Sequence, residues 1–378
     1  MQGRKRAVSA PPRAAVAIFV FNRPETTRAV VSALRAVRPP VLYVVADGPR
    51  PGRADDLQRC HDARRVIDTD VDWPCDIRRL TSETNQGVAR SPVSGISWVL
   101  AQEDRAVFLE DDCVPEPTFF RFCDEILERY RDDTRVSQVC GNNRLIEWKA
   151  DRQSYHFAYY GSAWGWATWR RAWAWFDPLL TSWEDSELRA RIEARIGDPQ
   201  EYRYFADICT RARRDPYKTW DYEWGFAQIA HDALTVIPSV NLVTNIGFGP
   251  GATYTVRRPL PAMPESRPMT FPFRPPPSVA RDSEYDHKHF LWALGQPDAA
   301  SAADFGRRLL LRGRAMEALV LVDATWRTDP GQRDIALIRA EALLALGRPR
   351  AAAEVLSRLL ALAPGDAAAS ALLAEIGP

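Results

Sequence analysis

The chain has 378 residues, of which 46% are hydrophobic and 26% charged, and a formal net charge of +1. That length suits one large domain plus a smaller one, and the composition is that of an ordered globular protein rather than a disordered chain. The near-neutral charge disfavours a nucleic-acid binder, and six cysteines without C-x-x-C spacing disfavour a zinc site or a disulfide framework.

Met1–Arg13 is basic and contains prolines, and the apolar run that follows, Val16–Phe21, is too short for a signal-peptide core or a membrane span. A cytoplasmic protein, peripheral to the inner membrane face, is the expectation. Val16–Phe21 reads as a buried parallel strand and Thr26–Val37 as a helix stopped by Pro39-Pro40. Val41–Ala46 is a second strand ending at the turn Asp47-Gly48-Pro49. A helix over Arg53–Asp68 and a strand over Asp76–Leu80 follow, then a turn at Asn85-Gln86-Gly87 and a helix over Ser91–Gln102. Ala106–Leu109 is the fourth strand, Pro117–Tyr130 an amphipathic helix and Val136–Cys140 a further strand. The alternation implies an α/β fold with an open, mostly parallel sheet and helices on both faces.

The most informative feature is the tip of that fourth strand, Glu110-Asp111-Asp112. Clustered acids resist burial and repel one another, so at the carboxyl end of a buried strand they call for a cation. Oxygen ligands suit Mg²⁺ or Mn²⁺, and such an ion at a strand end suits a phosphate partner. No Gly-rich phosphate loop follows the first strand, which disfavours dehydrogenases and P-loop kinases.

After Gly141 the chain becomes rich in aromatic residues. Tyr155–Trp183 carries six tryptophans, Trp164, Trp166, Trp169, Trp173, Trp175 and Trp183. Glu184–Arg214 is polar and helical, and Trp220-Asp221-Tyr222-Glu223-Trp224 forms a second aromatic knot. Residues 259–277 hold many prolines and read as a linker or wrapping tail. Gly313-Arg314 and Gly347-Arg348 lie 34 residues apart, as do Asp329-Pro330-Gly331 and Ala363-Pro364-Gly365. That period resembles tetratricopeptide repeats, with about two helical hairpins fitting into Ala303–Ile376. Fewer than three repeats rarely stand alone, so docking on the first domain or on another chain is expected.

Seven pieces, taken together and in order, resemble the GT-A glycosyltransferases, particularly bacterial family 2-like enzymes and more distantly N-acetylglucosaminyltransferase I. They are Phe21-Asn22-Arg23-Pro24, Ala46-Asp47-Gly48-Pro49-Arg50, Thr84-Asn85-Gln86-Gly87, Leu109-Glu110-Asp111-Asp112, Ser162–Trp169, Trp220–Trp224 and Asn245-Ile246-Gly247. The resemblance implies a GT-A, Rossmann-like domain over 14–258, a proline-rich linker over 259–299 and a small helical repeat segment over 300–378. It implies a metal-dependent, inverting transfer of a sugar from a nucleoside diphosphate donor, UDP favoured, to a hydroxyl of a glycan, lipid-linked or protein acceptor, as in polysaccharide biosynthesis.

By the same resemblance, Asp112 binds Mn²⁺ or Mg²⁺ directly. Asp111 is the second residue of the metal site, contacting ribose or a metal-bound water, and Glu110 contacts the donor sugar. Arg23 lies near the nucleotide, Asp47 accepts a bond from the base, and Asn85 and Gly87 let the backbone approach the donor. Trp164, Gly165 and Trp166 form the floor between donor and acceptor. Asp221 is the preferred general base and Glu223 its competitor. His231, His287 and His289 are candidate extra ligands, because many GT-A enzymes use a late histidine; Gly251-Ala252-Thr253-Tyr254 stands where related chains often carry it, which leaves the third protein ligand open, with water or the diphosphate as the alternative. Two other readings stand beside this one, a nucleotidyltransferase and a non-catalytic scaffold that binds a protein partner, or dimerises, through its helical tail.

Overall fold

The computed structural model describes residues 11–247, 265–293 and 299–376. They divide into two compact units, one built from residues up to 283 and one from Glu284 onward.

The first unit starts with β1 (Ala15–Val20), α1 (Pro24–Leu34), β2 (Val41–Ala46), α2 (Ala54–Asp70), β3 (Asp76–Thr81), α3 (Gly87–Gln102) and β4 (Arg105–Glu110). These follow the expected alternation closely. Pro24 opens α1, where its missing N–H costs nothing. Then come β5 (Cys113–Pro115), α4 (Thr118–Arg129), β6 (Val136–Cys140), β7 (Tyr155–Ala158), β8 (Trp166–Trp169) and the single turn α5 (Arg170–Trp173). A 3₁₀ turn at Thr181–Glu184 leads into α6 (Ser186–Ile196), α7 (Pro199–Arg214), α8 (Asp221–Ala230), β9 (Leu234–Pro238) and β10 (Val243–Asn245).

Eight strands form one sheet in the order β3-β2-β1-β4-β8-β6-β9-β7. β3, β2, β1, β4, β6 and β9 share one direction, and β8 and β7 run against them. β5 and β10 pair as a separate antiparallel ribbon. Side chains alternate across the sheet, as the pleat requires. Val16, Ile18 and Val20 join one core with Val30, Leu34, Phe119 and Ile126. Ala17 and Phe108 join the other with Ile96, Val99, Trp166 and Trp224. Both faces are therefore covered by helices, which explains why β1, β2 and β4 are continuous apolar runs. α3 lies close enough to the sheet that a Cβ on Gly95 would come within 2.6 Å of Phe19 and 2.8 Å of Val45.

The proline-rich stretch is not a free linker where it is described. Arg267 N donates to Asn241 O (2.9 Å), Met269 N to Thr118 Oγ1 (2.9 Å) and Arg274 N to Ser154 Oγ (3.0 Å), so residues 265–282 run as a strap along the first unit. A helix that composition hid, α9 (Ser283–Ala293), follows the strap. Its Tyr285, Phe290 and Trp292 are buried.

The second unit continues through α10 (Ala299–Leu310), α11 (Ala315–Thr328), α12 (Arg333–Ala345), α13 (Pro349–Leu362) and α14 (Ala367–Ile376), with each of α11 to α14 packed on the helix before it. Gly313 and Gly347 adopt the same left-handed conformation, φ +70° and +68°, at the ends of α10 and α12. Their 34-residue separation is therefore a repeated helix stop. Among the described residues, no helix is long and apolar enough to cross a membrane.

Candidate active site

Strand direction gathers the expected functional segments on one edge of the sheet. β1, β2, β4 and β6 end there, and β8, running the other way, begins there. Phe19 pairs with Glu110, so the turn after β1 lies beside the acidic tip. Phe21 N donates to Asp111 Oδ2 (3.2 Å). The Arg23 guanidinium pairs with Asp111 and, at 2.7 Å, with Asp112. Both aspartates are buried.

Three carboxylates facing one guanidinium leave the tip short of positive charge. Burial, then Asp112 and Asp111, push the Glu110 carboxyl well above its usual range. Burial likewise pushes Asp111 up to about 6 against the pull of Arg23, while Arg23 itself stays charged because the two aspartates outweigh its own desolvation. A divalent cation would relieve this excess. Glu110, Asp112 and Cys113 each offer a ligand atom within 4.8 Å of the others. The two carboxylates are hard donors that suit Mn²⁺ or Mg²⁺. The Cys113 thiol is buried, pushed up by that burial, and turned to Asp112 Oδ1 (3.5 Å), so it remains protonated. The residues fit the expected ion, with one correction to their roles. Asp112 is in the ligand group, Asp111 is tied to Phe21 N and Arg23 instead, and Glu110 takes its place.

Gly247 is a member of this site to which sequence reading gave no role, although Asn245-Ile246-Gly247 stood out as a motif. The β5–β10 ribbon pairs Asn245 with Cys113, and Ile246 N donates to Asp112 O (2.9 Å). This brings Gly247 directly over the acids. A Cβ there would lie 1.9 Å from Asp112 Oδ2 and 3.0 Å from Arg23 Nη1. Gly247→Ala is therefore expected to displace Asp112 and weaken Mn²⁺ binding about tenfold or more, as losses around a metal ligand do. Isothermal titration with Mn²⁺ alone checks it. Unchanged affinity would mean that Asp112 is not a ligand.

Asp47 does not keep the role expected of it. Its carboxylate accepts from Gly48 N (2.8 Å), Gln86 N (2.8 Å), Gly87 N (3.1 Å) and Asn85 Nδ2 (3.0 Å). Four donors saturate a carboxylate, which leaves nothing to receive a bond from a nucleotide base. Asp47 instead ties the end of β2 to the start of α3. Asn85 serves that tie, and Gly87, at φ +84°, supplies the left-handed turn into the helix. Nearby, buried Asp56 holds Asn22 Nδ2 (2.8 Å) and grips Arg50 through two bonds (2.6 and 2.8 Å). Two of the recognised motifs thus join in one polar cluster.

The tryptophan segment divides. Trp166 is core rather than floor: it is 2% exposed and packs against Phe108, Trp173, Trp220 and Trp224, with ring centres 5.0 to 6.3 Å apart. Trp166→Ala is expected to cost about 3–5 kcal/mol of stability, read by chemical denaturation. A cost under about 1 kcal/mol, the usual size of a change at an exposed position, would contradict this packing. Gly165, at φ +67°, is tight against the protein itself, where a Cβ would meet Val243 at 2.6 Å. Only Trp164 stays half-buried, with the Arg144 guanidinium 4.4 Å from its ring centre.

α8 begins at the same edge, because Trp220 rests on Trp166 and Trp224 Nε1 donates to Gln138 Oε1 on β6 (2.9 Å). Asp221, in the first turn, is open to solvent yet recessed. The surrounding protein desolvates it and pushes its carboxyl up, while backbone N–H groups and Arg144 pull the other way. Its charge also adds a little to the upward push on Glu110, so Asp221 lies within electrostatic reach of the acidic tip. Glu223 is different. It is 1% exposed and accepts from Thr219 Oγ1 (3.0 Å), with Cys209 of α7 within reach of its charge. An acceptor hydroxyl has no access to it.

His231 does not join the site. His231 ends α8, stacks on Trp175 at 4.5 Å, and its Nδ1 lies 2.9 Å from Ala227 O. A ten-residue helix, about 15 Å long, separates it from Asp221. His287 and His289 belong to α9 in the second unit. Gly251–Tyr254 lies outside the described residues.

Residues 309–376 match the tetratricopeptide repeat family, in agreement with the 34-residue period. No curated protein matches the chain. Among solved structures, a mannose-1-phosphate geranyltransferase from Thermus thermophilus aligns with 61% of this chain and 74% of its own at 10% identity. Its TM-score is 0.31, a similarity too low to carry an argument.

Proposed function

We propose that the sheet unit, residues 14–258 with its strap, is a metal-dependent, inverting glycosyltransferase of the GT-A type. The observation that supports this reading is the acidic tip Glu110-Asp111-Asp112 at the edge of the sheet where β8 begins, with α8, whose first residue is Asp221, anchored on Trp166 at the start of β8. Asp112 and Glu110 would hold Mn²⁺ or Mg²⁺, which when bound supplies positive charge to the diphosphate of the donor. Arg23 is positioned to hold a phosphate oxygen with whatever N–H edge its aspartates leave free.

Asp221 acts as general base. It takes the proton from an acceptor hydroxyl, whose oxygen forms a new bond to the anomeric carbon. The bond from that carbon to the diphosphate breaks, and the nucleoside diphosphate leaves with the electron pair. Attack from the side opposite the leaving group inverts the configuration. A carboxyl raised by desolvation is the better base for this work. Trp164 offers a face for a sugar ring. The repeat tail is proposed to recruit the acceptor or a protein partner, and the enzyme to work in the cytoplasm beside the inner membrane face.

The test is a panel of UDP-, GDP- and TDP-sugars read by thermal shift with and without Mn²⁺. A donor that binds only the folded state raises the melting temperature, and here only with the metal. If no donor binds with Mn²⁺, the reading fails. Release of pyrophosphate from a sugar phosphate and a nucleoside triphosphate would replace it with nucleotidyl transfer.

A further inference from the structure

The acid expected to read a nucleobase is closed to it, because donors from Gly48, Asn85, Gln86 and Gly87 fill the Asp47 carboxylate. The same loop offers another group. Three residues on, Arg50 lies over the Phe21 ring, its guanidinium carbon 5.4 Å from the ring centre. One edge of that guanidinium is committed: Arg50 Nε and Nη2 donate to Asp56, and Arg50 N donates to the same carboxylate (3.2 Å). The Asp56 side chain is fully buried, whereas Arg50 keeps 41% of its own exposed. The backbone beneath is pinned as well, since Asn85 N donates to Pro49 O (3.2 Å) and Arg53 N to Arg50 O (3.3 Å). The guanidinium is thus set in place before any ligand arrives. Direct contacts put it beside the acids. Phe21 N donates to Asp111 Oδ2, and Asp56 also holds Nδ2 of Asn22, the next residue (2.8 Å). By contact, the acidic tip, Phe21 and Arg50 follow one another in the order in which diphosphate, ribose and base follow one another in a nucleotide.

We propose that Arg50, held over Phe21 by Asp56, is the stacking platform for the nucleobase of the donor, and that the site reads the base by its flat face rather than by its hydrogen-bonding edge. This rests on the glycosyltransferase reading above. A guanidinium is planar, weakly hydrated and suited to stacking on a π face. Every base has such a face, so stacking tolerates a change of base, whereas a site built to hydrogen-bond the base edge rejects the wrong one. The donor class is therefore nucleoside diphosphate sugars without strict choice between purine and pyrimidine. The rival role for Arg50 is an Nη1 bond to phosphate, and pyrophosphate, which has no base, separates the two.

The experiment titrates the full chain with Mn²⁺ present, comparing UDP, TDP, GDP and ADP with inorganic pyrophosphate by calorimetry. In the unaltered protein the four nucleotides are expected to bind about tenfold or more tighter than pyrophosphate, and within about tenfold of one another. Arg50→Gln is expected to erase that advantage and leave the affinity for pyrophosphate as it was. Phe21→Leu keeps Arg50 and Asp56, removes the ring beneath, and is expected to lose part of the advantage. The readout is a ratio of two affinities in one protein, so a partial loss of folded chain cancels. Nucleotides that bind no tighter than pyrophosphate, or that differ among themselves by more than about tenfold, overturn the proposal without any variant having to fold. An advantage that survives Arg50→Gln overturns it too. So does a variant in which pyrophosphate weakens as much as the nucleotides, which makes Arg50 a phosphate ligand. If neither pyrophosphate nor any nucleotide binds with Mn²⁺, the glycosyltransferase reading itself fails, and this is seen before any variant is made.

Discussion

Asp112→Asn is expected to abolish the metal-dependent stabilisation by a nucleotide sugar and to lower turnover by about a thousandfold. An amide keeps the shape of the side chain but loses the charge that makes it a strong ligand for a hard cation. The neighbours give no substitute. Asp111 is tied to Phe21 N and Arg23, and Cys113 is a protonated thiol. Metal-free stability is expected to change little. The variant gives up one pairing with Arg23 but relieves the repulsion that raises Glu110. Asp111→Asn should behave differently, weakening the hold on the β1 turn while leaving part of the metal affinity. Thermal shifts with and without Mn²⁺ separate the two. An Asp112→Asn protein that binds Mn²⁺ and donor as the unaltered one does would refute the assignment.

The contrast between these two aspartates marks where sequence reading reached its limit. The parallel half was legible, because β1, β2 and β4 are buried on both faces and therefore read as unbroken apolar runs. The tip Glu110-Asp111-Asp112 was legible as an acidic cluster at the end of a buried strand from charge and position alone. Which acid points where was not, since that depends on Phe21 N and Arg23 arriving from another strand. β5, β7, β8, β9 and β10 escaped notice because they are three to five residues long and several sit in aromatic-rich sequence. The same aromatic density hid the difference between Trp166 and Trp164, which are two residues apart and share one chemistry, yet one is fully buried in the core and the other stays half-buried beside Arg144. Asp47-Gly48 read as a turn that could also serve a ligand, and four N–H donors decide for the turn. Gly247 was visible as part of a motif, but its reason is a 1.9 Å approach that only the β5–β10 pairing creates. The repeat tail was the easiest part, because its period is written in glycine and proline.

Asp221→Asn is expected to lower transfer by about 10²–10⁴-fold, the range for loss of a general base, while the Mn²⁺-dependent thermal shift with donor remains. In the proposed mechanism donor affinity would be set by Arg23 and the acids at the end of β4, whereas Asp221 comes from α8 and would meet the acceptor. The pH dependence gives a second, independent signature. A base works only when ionised, so the rate should fall as pH drops through the pKa of Asp221. Desolvation in the recess raises that pKa above the ordinary value for an aspartate, so the acid limb should lie above about pH 4. The limb should vanish in Asp221→Asn, leaving a slow, flatter profile. Glu223→Gln supplies the control. Glu223 is buried and bonded to Thr219, so the amide should preserve the acid limb and alter mainly the stability of the α8 N-terminus. If the limb instead disappears in Glu223→Gln and survives in Asp221→Asn, the base has been assigned to the wrong carboxylate, and α8 must turn its first residues when the acceptor binds.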